Sequence, residues 1–189
     1  MERFEITRAK PEDAAALLDY LKAIGGETEN LSFGAEGFPL GVEEESRHIA
    51  AQQQSGDSVM LVAKAAGEII GDAGLDRLPR RMRHRGELGI SVRKAWWGCG
   101  VGSALMREIL RFAEANGFEQ VNLEVRSDNV RAIRLYERFG FRKLCTFPAF
   151  FKIDGRDIDF DLMNLYLAPP APQTHRKAEP ERSCAKAPI

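Results

Sequence analysis

Trp97-Gly98-Cys99-Gly100-Val101-Gly102-Ser103-Ala104 is the stretch that decides the fold of this 189-residue chain. It joins a strand-like run, Glu87 to Val92, to an amphipathic helix that begins near Val101. Glycines at alternate positions let the backbone turn so that successive N–H groups point to one place ahead of the helix N-terminus, where the helix dipole adds partial positive charge. The stretch therefore predicts a cradle for a phosphate or pyrophosphate group.

Two familiar phosphate-binding loops do not fit this glycine pattern. A Walker loop requires a lysine and then Ser or Thr after its last glycine, whereas Ser103 and an alanine follow Gly102. A dinucleotide fingerprint requires a glycine at its sixth place, and the sixth residues counted from Gly98 and Gly100 are Ser103 and Leu105. The pattern therefore indicates neither a nucleotide hydrolase nor a Rossmann-type protein.

A second block lies downstream of the glycine loop. A strand-like run, Asn122 to Val125, leads into a helix that carries Asn129, Ala132 and Tyr136 and closes with a Gly-Phe pair. Together the two blocks resemble the GNAT acetyltransferases. The blocks cover about a third of the chain and occur in the order typical of that family.

The glycine loop matches the acyl-CoA loop of that family, with one departure. The family pattern is Gln or Arg, two residues, Gly, one residue, then Gly or Ala, and Gly100 and Gly102 supply its glycines. Trp97 stands where Gln or Arg is usual. This departure is mild because such a loop holds pyrophosphate mainly through backbone N–H groups.

Hydrophobic patterning and turn residues predict the element order βααβββαβαββ over residues 4–167. The resemblance implies the GNAT fold, an α/β (α+β) architecture with a mixed, strongly twisted sheet of about seven strands and about four flanking helices. We expect one domain, residues 1–167, followed by a flexible Pro-rich tail, residues 168–189, whose composition offers little to bury. The alternative is that the tail docks on a partner subunit or on its own cleft.

Three element boundaries follow from proline and glycine. Pro11-Glu12-Asp13 predicts the start of the first helix, and Gly25-Gly26 predicts its end. Gly67 and the pair Asp154-Gly155 predict hairpin turns.

The resemblance implies acetyl-CoA as cosubstrate, held largely by backbone groups. The strand before the glycine loop is expected to carry a bulge and to splay from the next strand, so that its N–H groups polarise the thioester carbonyl and pair with the pantetheine arm. Asn129 has two interpretations, a helix cap or a hydrogen bond to that arm. The expected cofactor-binding residues are Ile90, Ser91, Val92, Trp97, Gly98, Cys99, Gly100, Val101, Gly102, Ser103, Asn129 and Ala132.

Transfer of an acetyl group to an amine needs an acid for the leaving thiolate and an acceptor for the amine proton. The resemblance implies that Tyr136 is the acid, and a phenol with a pKa near ~10 stays protonated at neutral pH. A core tyrosine would show the same local pattern. Glu87 is the predicted general base, with a solvent-facing strand-edge acid and deprotonation through a water chain as alternatives.

Cys99 lies inside the glycine loop and raises the hypothesis of a covalent, ping-pong mechanism. No histidine is near it in the sequence, and cradle N–H groups need no particular side chain, so a filler role is favoured. Ser103 is interpreted as a helix-start residue.

Acidic residues outside the loop suggest a wall that attracts a cationic amine. Asp157, Asp159 and Asp161 alternate along the last strand and are predicted to share one face, which could equally be a water-facing surface. Three more acids lie in the loop after the first helix, which often floors the acceptor site in GNAT members: Glu27, Glu29 and Glu36.

Five arginines crowd the connection before Glu87: Arg77, Arg80, Arg81, Arg83 and Arg85. They could attract an anionic acceptor, the CoA 3′-phosphate or RNA. No aromatic residue is interleaved with them, so a solvated turn is the favoured interpretation.

Composition narrows the classes further. With 27 basic and 28 acidic residues the net charge is −1, which argues against a nucleic-acid-coating protein. Three scattered cysteines and three isolated histidines offer no metal-ligand spacing, so no metal is predicted. The chain contains no apolar run of membrane-spanning length and no signal-peptide core, so we expect a cytoplasmic protein with no membrane partner.

The sequence thus predicts an acetyl-CoA-dependent N-acetyltransferase that acts by direct transfer in a ternary complex. The acceptor is a primary amine of a small molecule, an amino acid or a protein N-terminus, and a homodimer is possible. Alternatives are an O-acetyltransferase, a longer-chain acyltransferase, a catalytically silent acyl-CoA sensor and, less favoured, an RNA-associated module.

Overall fold

The computed structural model describes residues 3–167, and the predicted tail lies outside them. The described residues divide into two compact units, the first ending at Phe118 and the second beginning at Glu119. The first unit contains β1 (Glu5–Arg8), α1 (Ala14–Glu27), α2 (Val42–Gln53), β2 (Ser58–Ala65), β3 (Glu68–Arg77), β4 (Arg85–Val92) and α3 (Val101–Ala115). The second contains β5 (Gln120–Arg126), α4 (Val130–Arg138), β6 (Arg142–Ile153) and β7 (Arg156–Tyr166). Seven strands and four α-helices in this order confirm the predicted fold class.

The four strands of the first unit form an antiparallel meander in which β1 pairs with β2, β2 with β3, and β3 with β4. A Cβ added at Gly71 of β3 would contact Val101 and Leu105 of α3. The next residue, Asp72, is hydrogen-bonded to Ser91, which in turn contacts Tyr20 of α1. Because neighbouring residues of a strand point to opposite faces, α1 and α3 cover opposite faces of this sheet.

The core of the first unit is built on both faces from the predicted apolar stripes. On α3, Leu105 and Ile109 are completely buried, as the 3.6-residue spacing predicts. On the other face, one cluster of buried residues joins α1 and α2 to the sheet: Ala9, Ala14, Leu17, Tyr20, Ile24, Ile49, Val62 and Ile69. The sheet is therefore fixed from both faces at the point where β4 runs toward the glycine loop.

The prediction that Gly25-Gly26 ends the first helix is wrong. The helix starts with a short 3-10 turn at Pro11–Asp13 and continues through both glycines to Glu27. Gly25 is buried, and a Cβ there would overlap the Gly34 carbonyl oxygen of the following loop. The glycine therefore allows a close approach of the loop rather than a left-handed helix end.

The expected bulge in β4 is absent from its pairing with β3. The register of these strands is continuous from Gly71↔Val92 to Arg77↔Gly86. A register shift occurs instead between β2 and β3, at Ala63/Lys64. The unbroken register places Asp72 opposite Ser91.

In the second unit, β7 lies between β5 and β6 and pairs antiparallel with both. The predicted turn between β6 and β7 is confirmed, with Asp154 at φ 49° and Gly155 at φ 75°. Phe141 follows α4 and is 2% exposed, and its ring lies 6.0 Å from that of Tyr136. This packing holds α4 against its own sheet.

The three aspartates of β7 do not share one environment, which corrects the prediction of a common acidic surface. Asp157 and Asp159 are exposed near the hairpin end, whereas Asp161 is only 4% exposed. The Asp161 carboxylate accepts hydrogen bonds from Ser127 Oγ (2.7 Å) and Thr146 Oγ1 (2.9 Å). Asp161 lies on the central strand of this unit, where neighbours on both sides cover it.

Candidate functional site

Two glycines of the loop adopt the left-handed backbone conformation that favours glycine. Gly98 and Gly100 adopt φ of 82° and 87°, and a Cβ at either would meet no atom within 4 Å. Gly100 is the residue before α3, and its carbonyl accepts the first helical bond from Ala104 N at 3.0 Å. The N–H groups of the intervening residues thus belong to the helix N-terminus, where helical carbonyls do not reach them. Both glycines are exposed, and they lie at the positive end of a 15-residue helix.

Trp97, the departure from the family pattern, braces this loop. Its indole Nε1 donates to the Val92 carbonyl oxygen at 2.7 Å. Trp97 N also donates to Lys94 O at 3.2 Å, and Cys99 N donates to Trp96 O at 3.2 Å. The side chain therefore ties the loop to the end of β4.

The strand segment Ile90, Ser91 and Val92 lies half-buried at the end of β4. Its residues pair with Ala73, Asp72 and Gly71 of β3. Arg93, the next residue, donates from its backbone N to Ile70 O at 2.9 Å, and its side chain pairs with Glu27 at 2.6 Å. The end of β4 is therefore firmly positioned by β3 and by α1.

A polar network that the sequence analysis missed spans three elements of the first unit. Tyr20 of α1, 3% exposed, lies with its hydroxyl 2.7 Å from Ser91 Oγ of β4, and Ser91 Oγ donates to Asp72 Oδ1 of β3. Burial raises the pKa of Asp72 to about 6, although the hydrogen bond from Ser91 acts in the opposite direction. The available signal was the alternation Asp72-Ala-Gly74-Leu-Asp76, which places polar and small residues on one strand face.

Beside this network the sheet surface is bare backbone. Gly74 of β3 pairs with Gly89 of β4, and a Cβ at either glycine would meet no atom within 4 Å. The next pair on the same face is Asp76 and Glu87. Glu87, the predicted general base, is exposed, and burial raises the pKa of Asp76.

Asn129 caps α4. Its Oδ1 accepts a hydrogen bond of 3.2 Å from Ala132 N. Ser127 and Asp128 do not share this capping, because Ser127 bonds to Asp161 and Asp128 pairs with Arg126 at 2.7 Å. The capping interpretation is confirmed, and Asn129 Nδ2 keeps its donor capacity for a ligand.

Tyr136 lies on the buried side of α4 and is 6% exposed. Burial raises the pKa of its phenol. The hydroxyl therefore stays protonated across the physiological range. It is suited to donate a hydrogen bond to a developing anion.

Cys99 is a free, half-buried thiol, and its Sγ lies 3.9 Å from Trp97 O. No histidine is among its recorded hydrogen-bond partners in the described part of the chain. This environment matches the filler role.

The acidic residues proposed for the acceptor have diverse surroundings. Glu27 pairs with Arg93 and accepts from Lys94 N at 2.7 Å. Glu36 accepts from Gly34 N at 2.8 Å, a bond that lowers its pKa, and Glu29 is exposed. In the second unit, Asp157 pairs with Lys152, and Asp159 accepts from Ala149 N at 2.9 Å.

Part of the arginine cluster serves structure. The Arg77 guanidinium stacks 3.8 Å from the centroid of Phe118, donates to Asn116 O at 2.6 Å and pairs with Asp57 at 2.8 Å. Arg83 also pairs with Asp57, at 2.7 Å. These contacts tie the connection between β3 and β4 to the end of α3.

Within residues 3–167, no group of three or more His, Cys, Asp or Glu side chains is arranged to hold a metal ion. No helix in that same range has both the length and the apolar character required to cross a bilayer.

The comparison with known families agrees with the geometry of the loop. A model of the Acetyltransferase (GNAT) family matches residues 27–141, which include β4, the glycine loop, α3 and α4. The chain belongs to this family. A crystal structure of a GNAT-family acetyltransferase from Streptococcus pneumoniae is similar to it with a TM-score of 0.84 and 31% identity, over 87% of this chain and 100% of that one.

Curated relatives match part of this GNAT protein. The N-alpha-acetyltransferase RimI of Mycobacterium tuberculosis is 36% identical over 50% of this chain and 59% of its own length. The L-amino acid N-acetyltransferase AaaT of Escherichia coli is 37% identical over 43% of this chain and 51% of its own length. The matches thus span about half to three fifths of these two relatives.

One similar structure was solved with a ligand. A Salmonella typhimurium protein described as an acetyltransferase, with its cofactor acetyl-CoA, has a TM-score of 0.77 and 22% identity over 92% of this chain and 99% of that one. At this identity the likeness shows a shared fold.

Proposed function

We propose that this protein is an acetyl-CoA-dependent N-acetyltransferase that transfers an acetyl group directly to a primary amine. The observation that carries the proposal is the pair of exposed glycines with left-handed backbone, Gly98 and Gly100, at the N-terminus of α3. Membership of the GNAT family supports it. The printed names of RimI and AaaT, both N-acetyltransferases, support it as well.

The residues of the first unit fit the pyrophosphate of acetyl-CoA. Glycine at positions 98 and 100 leaves the space beside the loop backbone open to an anion. The proposed contacts are backbone N–H groups of the loop, from Gly98 to Ser103, and of the strand segment Ile90, Ser91 and Val92. Bound acetyl-CoA would supply an activated thioester. Trp97 keeps the loop in place through its bond to Val92.

In the second unit we assign Tyr136 to the leaving group. Its raised pKa makes complete proton transfer to a thiolate with a thiol pKa of about 8.5 unfavourable, so hydrogen-bond donation is the larger contribution. Asn129 orders the start of α4 by capping it, and with Ala132 it is the proposed contact for the pantetheine arm. Glu87 stays the sequence-based proposal for the base.

The acceptor class stays as broad as the sequence left it: a small amine, an amino acid or a peptide N-terminus. RimI and AaaT fall into two of these classes by their printed names. Glu29, Glu36, Asp157 and Asp159 stay proposals for acceptor contacts. A cytoplasmic location and a homodimer are also retained as proposals.

Thiol release from acetyl-CoA tests the proposal, measured over a panel of amino acids, polyamines, aminoglycosides and N-terminal peptides beside calorimetric titration with acetyl-CoA. Binding together with turnover on a panel amine is the expected result. Binding without turnover on any acceptor would indicate the silent sensor, and turnover only on hydroxyl acceptors would indicate an O-acetyltransferase. Absence of acetyl-CoA binding would overturn the proposal.

A further inference from the structure

The network of Tyr20, Ser91 and Asp72 has a feature that packing alone does not require. A half-buried aspartate on β3 is joined through a hydroxyl on β4 to a phenol on α1. Desolvation of a carboxylate costs free energy, which the hydrogen bond from Ser91 offsets only in part, since the pKa of Asp72 stays raised to about 6. A site that keeps such a group is a candidate for proton transfer.

The direction of the hydrogen bonds leaves Ser91 able to accept one more. Ser91 donates its single hydroxyl proton to Asp72, so toward Tyr20 its oxygen acts as an acceptor. A hydroxyl oxygen has two lone pairs, and Tyr20 occupies one of them. The second lone pair can accept an N–H from a ligand.

Space for that ligand lies on the same sheet face. Ser91 and Gly89 are alternate residues of β4, as are Asp72 and Gly74 of β3, so the glycine pair adjoins the network. No atom lies within 4 Å of where a Cβ would stand at either glycine. Ser91 itself is half-buried, and Gly89 is exposed. A small amine could therefore reach Ser91 over bare backbone.

The charges around the network favour a cation at Ser91. Glu27 and Arg93, the charged neighbours of Tyr20, pair with each other at 2.6 Å. On β2 the residue opposite Asp72 is Val62, and α2 directs His48 toward Asp76. Glu87 adds a carboxylate farther along β4. The Asp72 charge is thus left without a cationic partner among these neighbours.

We propose that Ser91 contacts the acceptor amine and that Asp72, acting through Ser91, receives the proton which the amine must lose. An N–H bond of the ammonium breaks and its electron pair stays on nitrogen. The proton passes to Ser91 Oγ while the original Ser91 proton moves to Asp72 Oδ1. The ammonium and the carboxylate become a neutral amine and a neutral carboxylic acid, so charge and atoms balance, and Asp72 later returns its proton to water.

This inference rests on the proposed N-acetyltransferase function. It gives Asp72 the role of proton acceptor, which the sequence analysis predicted for Glu87. Asp72 is a positioning residue under this assignment, because Ser91 alone meets the amine. Tyr20 fixes the orientation of the Ser91 hydroxyl by occupying one lone pair. Proton acceptors whose pKa lies near the working pH are the most effective ones.

The test is the pH dependence of kcat/KM with the fastest-reacting panel amine, for wild type and for Asp72→Asn, Ser91→Ala, Ser91→Thr and Glu87→Gln. The kcat/KM of wild type should fall as the pH drops below about 6, and this fall is the acid limb of its pH profile. Asp72→Asn and Ser91→Ala should lower kcat/KM at pH 7 by about 100- to 1,000-fold. Their residual rate should rise about tenfold per pH unit, since only free amine reacts. Ser91→Thr retains the hydroxyl and should restore the limb.

Asp76→Asn is the matched control, an exposed carboxyl on the same strand face whose pKa is also raised. It should keep the limb and most of the activity. A limb that persists in both Asp72→Asn and Ser91→Ala, or one that disappears in Glu87→Gln, would overturn the inference while the transferase function stands. Wild type without turnover would instead contradict the proposed function. If Asp72→Asn fails to fold, Ser91→Ala decides alone, with acetyl-CoA affinity as evidence of an intact fold.

Discussion

The indole N–H of Trp97 donates a 2.7 Å hydrogen bond to the carbonyl oxygen of Val92. Val92 is the last residue of β4, and Trp97 is the first residue of the glycine loop. A side chain thus links the two backbone segments proposed to bind acetyl-CoA. The bond explains how the loop tolerates Trp where the family usually has Gln or Arg.

Trp97→Phe should weaken acetyl-CoA binding about 3- to 10-fold, because the ring remains but the bond, worth roughly 1 kcal/mol, is lost. Calorimetric titration measures the change. Trp96→Phe is the control, since Trp96 contacts Phe4 edge-on at 6.5 Å. Equal affinities for Trp97→Phe and wild type would show that the loop keeps its shape without this bond.

Gly100→Ala should lower acetyl-CoA affinity at least tenfold. A Cβ at φ 87° meets no protein atom but projects into the open cradle. The left-handed conformation also costs about 1–2 kcal/mol of stability. Gly67→Ala is a close match, at φ 86° with the same empty surroundings in a hairpin turn. It should show the stability loss alone, and an equal loss of affinity in both variants would contradict the cradle.

Tyr136→Phe should reduce turnover about 10- to 1,000-fold with unchanged acetyl-CoA affinity, because Phe retains the packing on Phe141 and lacks the donor. Steady-state kinetics and calorimetry measure the two effects. Tyr166→Phe, a change at a residue 42% exposed, is the control. Normal turnover in Tyr136→Phe would indicate that Tyr136 only packs in the core and takes no part in the reaction.

Asp161→Ala should destabilise the protein by about 2–4 kcal/mol, because Ser127 and Thr146 lose their buried acceptor. Asp157→Ala, at the exposed end of the same strand, should change stability by less than about 0.5 kcal/mol. Denaturant unfolding compares the two variants. Similar stabilities of the two variants would indicate that Asp161 belongs to the predicted acidic surface.

The carboxyl of Asp161 should also make the protein less stable in acid. Burial alone would raise the pKa of Asp161, but bonds from Ser127, Thr146 and Lys143 outweigh it and lower the pKa below 3.8. The stabilisation is therefore present above pH 3.8 and is lost as the pH falls through the folded-state value. The stability difference between wild type and Asp161→Ala should shrink in that range.

The carboxyl of Asp72 should change the stability of the protein with the opposite pH dependence. Its pKa is about 6 in the folded protein and 3.8 ordinarily, so the folded state binds more protons between these values. The stabilisation that comes from this proton binding is fully present below pH 3.8 and is lost as the pH rises through about 6. The resulting change in the free energy of unfolding is roughly 3 kcal/mol. Relative to wild type, Asp72→Asn should therefore be more stable at pH 8 than at pH 5. Parallel melting curves at both pH values would argue against a buried charge.

Much of the fold was predictable because the relevant interactions are local. The apolar stripe of α3, the turns at Gly67 and Asp154-Gly155, and the order of the elements follow from neighbours within a few residues. Gly25 was misjudged because its role depends on Gly34, a contact outside the helix. A glycine that ends a helix and one that admits a loop look the same in sequence.

The proposed site was predictable to the same extent. The glycine loop is one continuous stretch, and its conformation depends on its own residues, so its shape could be foreseen. Asp72 escaped notice because it lies 19 residues from Ser91, and only the register of β3 against β4 makes them neighbours. Asp161 was grouped with Asp157 and Asp159 on one exposed face, an acidic wall or a water-facing surface, because strand alternation does not reveal which end of the strand is covered.

The sequence by itself determined the family, the element order and the helix-terminal cradle, since each depends on short-range pattern and backbone freedom. Only the tertiary structure decided which charged groups are buried and which hydroxyls they meet. Burial and hydrogen-bond partners come from residues far apart in the chain, and they shift a pKa in ways that local sequence does not encode. The tertiary structure therefore distinguishes Asp72, Asp76 and Asp161, which are the same residue in the sequence.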